Sequence, residues 1–353
     1  MHDGFRRFLG GTGRALMTAG ILVLLFVAYQ LWGTGIFTAR SQNRLDDEFA
    51  TARERFRQET TTTTGSPVPT TSTTNPDPSD SGGPDRGASN GAIDIDLPLI
   101  TSGDAVGRLR MEAIGVDWTF VQGTSRDDLR KGPGHYVGTP YPGQPGNAAI
   151  AGHRTTYGAP FNRIDELDPG DRIEIETFWG DFTYQVYAEC VVTPSETWVA
   201  GQNLVDLTNP ASACAQEPRT DAVLTLTSCN PKFSARERYV IKAELLVEQS
   251  DPPAKFDPAQ VVGVGGDDGP GTDDPDITLD AGADALRDGL SGDPASRRPT
   301  ALWAAFAVIV GALWWWAYRR WRHWATWLVG VTPFAVVLFG CYYYADRLLP
   351  AGY

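Results

Sequence analysis

Three runs of apolar residues constrain this chain more than any other feature of it. The first, Ala15 to Leu31 and extendable to Phe37, follows Arg6, Arg7 and Arg14. The other two, 301–318 and 327–344, lie at the far end, the second interrupted by Pro333 and Gly340. A membrane-crossing helix needs about 20 apolar residues, and each run fits that length. No small-x-small cleavage site with a mature start follows the first run, which favours an uncleaved anchor over a signal peptide. A buried helical hairpin is the alternative for the last pair. Their Trp-rich ends and lack of internal charge favour spanning. Between them sits Arg319-Arg320-Trp321-Arg322-His323, and short basic loops stay cytoplasmic. The predicted topology puts 1–14 and the short loop between the last two runs inside, spans at 15–37, 301–318 and 327–344, and the region from about 40 to 299 outside.

Between the runs the chain changes character. Residues 38–59 are predicted as a helical stalk, with Leu45, Phe49, Ala52 and Phe56 on a narrow apolar stripe. A solvated helix is favoured there over self-association. Residues 60–94 are rich in Thr, Pro and Ser, and 250–299 in Asp, Gly and Pro. Such compositions cannot bury a core and read as linkers, the first as an extended wall-spanning tether. One compact domain is left at 95–249. It contains short β-like runs at 106–111, 147–151, 172–177, 183–192, 222–229 and 238–247, separated by turn signals such as Pro169-Gly170-Asp171. Helical runs are short, at 125–129 and 160–167. The pattern predicts a mainly β barrel or sandwich. The net charge of −13 argues against a nucleic-acid binder, which needs clustered Lys and Arg.

The chemistry-bearing residues sit at strand ends. The run Ala222 to Cys229 stops at Asn230-Pro231, and Arg238 opens the next run. A cation beside a cysteine lowers its pKa and holds a developing oxyanion. His153 ends the run Ala148 to Gly152, and histidine is the usual acid/base partner of a cysteine nucleophile. Gly152 would permit a turn or close approach of substrate. Against this stands the bland reading, in which lone cysteines and histidines are core or structural residues. His135 sits in a Gly-Pro turn and reads as structural, and Arg236 as solvated. Cys190 and Cys214 lie outside by the predicted topology, where a disulfide is permitted, and their pairing would leave Cys229 free. Cys341 lies in a span and reads as inert. There is no CxxC pair and no HExxH, so no metal or other cofactor is expected. Asp273-Asp-Pro-Asp276 reads as linker acid rather than a calcium loop.

Thr225-Leu-Thr-Ser-Cys229 resembles the TLxTC motif of sortases, with Ser228 where the family has Thr. Ala151-Gly-His153 resembles the family's histidine motif, and Arg238 its strand-opening arginine. Gly132-Pro-Gly-His-Tyr136 and the run from Ala151 to Phe161 are similar to the actinobacterial class E branch. The resemblance covers 95–249. It implies a closed eight-stranded β-barrel and catalytic residues His153, Cys229 and Arg238. It also implies cleavage of an LPxTG- or LAxTG-like sorting signal between Thr and Gly through a thioacyl-enzyme. The implied partners are secreted proteins carrying that signal, an amine of a peptidoglycan precursor or a pilin, and the lipid bilayer. The implied location is the cell membrane, multi-pass, with the catalytic domain extracytoplasmic. The alternatives are a pilus-building enzyme, an L,D-transpeptidase or cysteine peptidase, and a non-catalytic membrane-tethered wall-binding module. An L,D-transpeptidase would show an SxGC-type motif, which is absent.

Overall fold

The computed structural model describes residues 16–64, 100–193, 219–252, 262–263, 294–321 and 324–348. The predicted linkers at 60–94 and 250–299 fall mostly outside these residues, as do Cys214 and the acidic run 273–276. Eight strands close into a barrel. They are β1 (Ala105–Met111), β2 (Val116–Gln122), β3 (Gly134–His135), β4 (Gly146–Ala151), β5 (Arg172–Thr177), β6 (Asp181–Val192), β7 (Ala222–Asn230) and β8 (Glu237–Leu245). The order around the barrel is β1-β2-β3-β4-β7-β8-β6-β5, returning to β1. The pairs β2–β3 and β4–β7 are parallel and the rest antiparallel. The expected closed eight-stranded barrel is therefore present, along with short helical pieces at Arg126–Leu129 (α2) and Ile164–Glu166. Ser125 caps α2 in a reciprocal capping box with Asp128. The core is made of inward residues such as Val106, Leu109, Phe120, Ile150, Ile175, Tyr184, Leu224 and Ile241.

Three helices are long and apolar enough to cross a membrane: Leu16–Gln58, Arg297–Trp321 and Val329–Leu348. The first belongs to a helix, α1, running over 16–64 with one π turn at Tyr29–Gly33. The other two lie in α3 (Arg297–Trp321) and α4 (Trp324–Leu348). The last apolar run is interrupted by Pro333 and Gly340, which could have broken the expected helix. Instead α4 passes through both, because an apolar surrounding leaves the backbone no better partner than itself. Gly330 and Gly340 lie against the rings of Trp314 and Trp303 of α3, where a Cβ would come within 1.9 and 2.7 Å. Among α1 and α4, Tyr342 donates to the Leu22 carbonyl at 2.7 Å, and the rings of Tyr29 and Phe339 meet edge-on at 5.1 Å.

The stripe on α1 has a destination that differs from the solvated helix expected. Leu45 and Phe49 are buried in the barrel's own core cluster, with Ala52 and Phe56 packed against it. Burying each large side chain stabilises by about 1.5–3 kcal/mol. Beside the stripe runs a polar row at four-residue spacing, one turn apart. Thr38 donates to the Arg130 carbonyl at 2.9 Å. Gln42 donates to the Thr119 and Lys131 carbonyls and accepts from the Thr119 N–H. Asp46 accepts from the Thr119 hydroxyl. Seven residues beyond Asp46, Arg53 adds ion pairs to Glu176 and Asp181. The helix that carries the apolar anchor is thereby fastened along the barrel wall.

Candidate active site

The site forms where β4, β7 and β8 end together. On β7, Leu224 and Leu226 belong to the barrel core. Strand alternation therefore turns Thr225, Thr227 and Cys229 to the outer face. There Cys229 joins a small cluster with Leu129, Tyr136, Ala149 and Ala151. Cys229 stands directly opposite Arg238 in the antiparallel β7–β8 register. Along parallel β4–β7, Ala151 pairs with Thr227. His153 lies two residues beyond the end of β4, at the same end of the ladder as Cys229. Two hydrogen bonds hold that register beyond the strand end: Gly152 N–H to the Thr227 carbonyl at 3.1 Å, and Ser228 Oγ to the Gly152 carbonyl at 2.8 Å. The serine that departs from the family motif thus uses its hydroxyl to tie β7 to the histidine's strand. All three predicted residues lie at the same end of the β4–β7–β8 ladder, each buried.

Cys229 carries a free thiol. Burial pushes that thiol up to about 11, against the guanidinium groups of Arg238 and Arg154, which draw it down. At neutral pH the group rests as a thiol, so a nucleophile has to be made by removing its proton as attack proceeds. Arg238 Nη1 donates to the carbonyls of Ala235 and Glu237 at 3.0 and 3.1 Å, which fixes the guanidinium over the β7–β8 connection. Among the described residues no carboxylate pairs with it within 4 Å, so its charge stays available. His135 is fully buried between Gln122 and the Pro140 carbonyl, at 3.0 Å from each, and burial pushes it down to about 4. It is a neutral structural residue in the barrel wall. Arg236 is exposed.

Arg154 was not anticipated. It is buried and donates to the Cys229 carbonyl at 3.0 Å and to Asn230 Oδ1 at 2.9 Å. It is held by Asp165 at 2.7 Å. Its guanidinium lies 5.5 Å from the Tyr239 ring centroid. The only signal in the sequence was a basic residue next to the histidine. Tyr136 was also missed as a site neighbour. Its hydroxyl pairs with Thr227 Oγ1 at 2.9 Å within the cysteine's cluster. Gly152 serves a different purpose from the one expected, since a Cβ there would lie 2.6 Å from the Phe161 ring. Phe161 fills that space, and its N–H donates to the His153 carbonyl at 3.0 Å. Cys190 is disulfide-bonded and Cys341 is free. Among the described residues no group of three His, Cys, Asp or Glu could hold a metal ion.

Residues 109–246 match the sortase domain family. Sortase D of Bacillus subtilis is 33% identical over 144 residues, which is 40% of this chain and 63% of that protein. Sortase SrtE1 of Streptomyces coelicolor is 26% identical over 248 residues, 67% of this chain and 57% of that one. Sortase SrtE2 of the same organism is 26% identical over 240 residues, 66% of this chain and 80% of that one. The chain thus spans less than two thirds of the length of the first two relatives. The closed barrel, the matched domain and relatives of the E type thus make residues 109–246 similar to a sortase domain.

Proposed function

We propose that this chain is a membrane-anchored transpeptidase that cleaves a C-terminal LPxTG- or LAxTG-like sorting signal between Thr and Gly. It then passes the protein to an amine of a peptidoglycan precursor or a pilin. The observation that carries the proposal is the free Cys229 set opposite Arg238, with His153 just beyond the end of the neighbouring parallel strand at the same end of the ladder. Cys229 Sγ attacks the threonine carbonyl carbon while its proton passes to His153. Arg238 faces the oxyanion that forms, a contribution of about 2.7–4 kcal/mol per well-placed donor in comparable sites. The intermediate collapses by breaking the Thr–Gly C–N bond, and His153 gives its proton to the departing glycine amine. The resulting thioester is attacked by the acceptor amine, which returns a proton to His153. Collapse restores the Cys229 thiol.

Membrane attachment follows from the same proposal. Arg319 and Arg320 end α3 at the connection to α4, and basic connections of this kind favour the cytoplasmic side. Residues at the other end of the hairpin, Asp346 and Arg347, meet the barrel. This supports a barrel held against the outer surface of the membrane. The decisive test is cleavage of fluorescence-quenched LPxTG and LAxTG peptides by the full-length protein in detergent. Cys229→Ala should abolish turnover while the unfolding transition stays in place. Turnover at the unsubstituted rate would overturn the mechanism.

A further inference from the structure

The turn that follows His153 is strained and is held from outside the barrel. Tyr157, Gly158 and Ala159 have φ of 53°, 74° and 46°. Two of the three carry side chains, which rarely adopt this backbone region. Such a turn persists only when its surroundings over-determine it. Gly158 sits under Trp118, where a Cβ would come within 2.5 Å. Tyr157 is gripped at both ends by the helices that carry the apolar spans. Its N–H donates to Thr34 Oγ1 of α1 at 3.1 Å. Its hydroxyl donates to the carboxylate of Asp346, near the end of α4. Between these grips its ring lies against the His153 imidazole, with centroids 5.1 Å apart and planes inclined by 33°.

Asp346 is itself enclosed by polar partners. Arg130 Nη2 approaches its Oδ2 at 3.3 Å, and Gln30 Nε2 of α1 donates to Oδ1 at 3.4 Å. The Arg130 side chain is 4% exposed and that of Asp346 10%. A charged pair this enclosed is retained only with its geometry satisfied, since losing one member leaves an uncompensated charge. The Arg130 guanidinium also stands 5.3 Å from the Tyr157 ring centroid and 6.0 Å from that of Tyr343 on α4. Burial keeps the Tyr157 hydroxyl protonated, and so a donor, at any ordinary pH. Contacts therefore run without a gap from the last apolar helix through Asp346 and Tyr157 to the imidazole.

We infer that Asp346 is a positioning residue for His153, acting through Tyr157, so that the C-terminal helical hairpin completes the active site. Neither Asp346 nor Tyr157 is assigned a bond-making role. They fix the ring that must donate to and accept from the reacting amines, and small displacements of such a group are costly to turnover. The inference rests on the acid/base role proposed for His153.

The test is steady-state cleavage of the same LPxTG and LAxTG peptides by full-length protein in detergent or nanodiscs. Asp346→Leu and Tyr157→Phe should each lower kcat about tenfold or more and leave KM within about twofold. Asp346→Asn keeps an acceptor for the tyrosine hydroxyl and should recover most of that loss. Tyr157→Phe keeps the Asp346–Arg130 pair, so its thermal unfolding and rate of Cys229 alkylation should stay near the unsubstituted values, which separates positioning from general damage. Unchanged kcat in Asp346→Leu and Tyr157→Phe would overturn the inference. So would a loss in Tyr157→Phe matched by a lowered unfolding temperature, or no rescue by Asp346→Asn. The underlying function is checked separately, because Cys229→Ala and His153→Ala must be inactive in the same assay. If those two retain turnover the proposed mechanism fails. If they lose it while Asp346→Leu keeps it, only this inference fails.

Discussion

Toward the barrel interior, β7 and β8 present Leu224, Leu226, Ile241 and Ala243, all fully buried. On their other face the same strands present Thr225, Thr227, Cys229, Arg238 and Lys242, none more than 4% exposed. Burial is equal on the two sides, and the chemistry is opposite. The inner face gains stability from apolar volume removed from water. The outer face must satisfy each polar group it hides. Thr225 donates to Asn147 Oδ1 at 2.7 Å, Thr227 pairs with the Tyr136 hydroxyl, and Arg238 donates to two carbonyls. Two outer-face groups, the Cys229 thiol and the Lys242 amine, are instead shifted by burial itself. One ladder thus carries a stabilising face and a reactive face. The difference teaches that depth of burial alone does not mark a core.

Substitutions on the two faces should therefore separate stability from turnover. The largest effect is expected from Leu226→Ala, which opens a cavity in the barrel core. It should cost about 2–5 kcal/mol in denaturant unfolding, with turnover per folded molecule within a few-fold of the unsubstituted protein. A collapse of turnover at temperatures where the variant is folded would break the comparison. Arg238→Ala should do the reverse. Peptide cleavage should fall about 100- to 1,000-fold, and the pH midpoint for Cys229 alkylation should rise further, because a positive charge that draws the thiol down is gone. The unfolding transition should move less than in Leu226→Ala.

Lys242 gives the smallest and most specific effect. Burial pushes it down to about 8, and among the described residues it has no ion-pair partner. The unfolded chain holds this proton up to its ordinary value of 10.5. Between about pH 8 and 10.5 the unfolded state therefore binds more protons, and stability rises with pH. Cys229 acts in the opposite sense, since the fold holds its proton up to about 11 and the unfolded chain only to 9.0. Stability falls through that window. Lys242→Met should remove the rising limb and stabilise the protein at pH 7 by about 1–3 kcal/mol. Unfolding measured across pH 7–11 checks the sign, and a profile identical to that of the unsubstituted protein would show that Lys242 is not held neutral.

Much of the barrel was legible because its strands alternate. Arg172–Thr177 was placed to the residue, and five other strands to within one or two residues at each end. Two strands escaped. On Val116–Gln122 the residues from Thr119 to Gln122 are all buried, because the barrel covers one side and α1 the other, through Thr119 and Gln42. A strand covered on both faces loses its period of two. Gly134–His135 is too short to show any period. The candidate site was legible as residue types at strand ends. Arg154 was not, because nothing local says which carbonyl an arginine will reach.

By itself the sequence determined the three apolar runs, most of the strands, and the strand-end positions of His153, Cys229 and Arg238. These are matters of local period and termination, written in neighbouring residues. Only the tertiary structure decided what each of them meets. Barrel closure brought two strand ends, 76 positions apart in the sequence, into one register. Docking of α1 turned an apolar stripe into part of the core. The packing of α4 set Asp346 beside Tyr157, 189 positions away. Such contacts depend on how whole elements fill space against one another, and no local pattern encodes that.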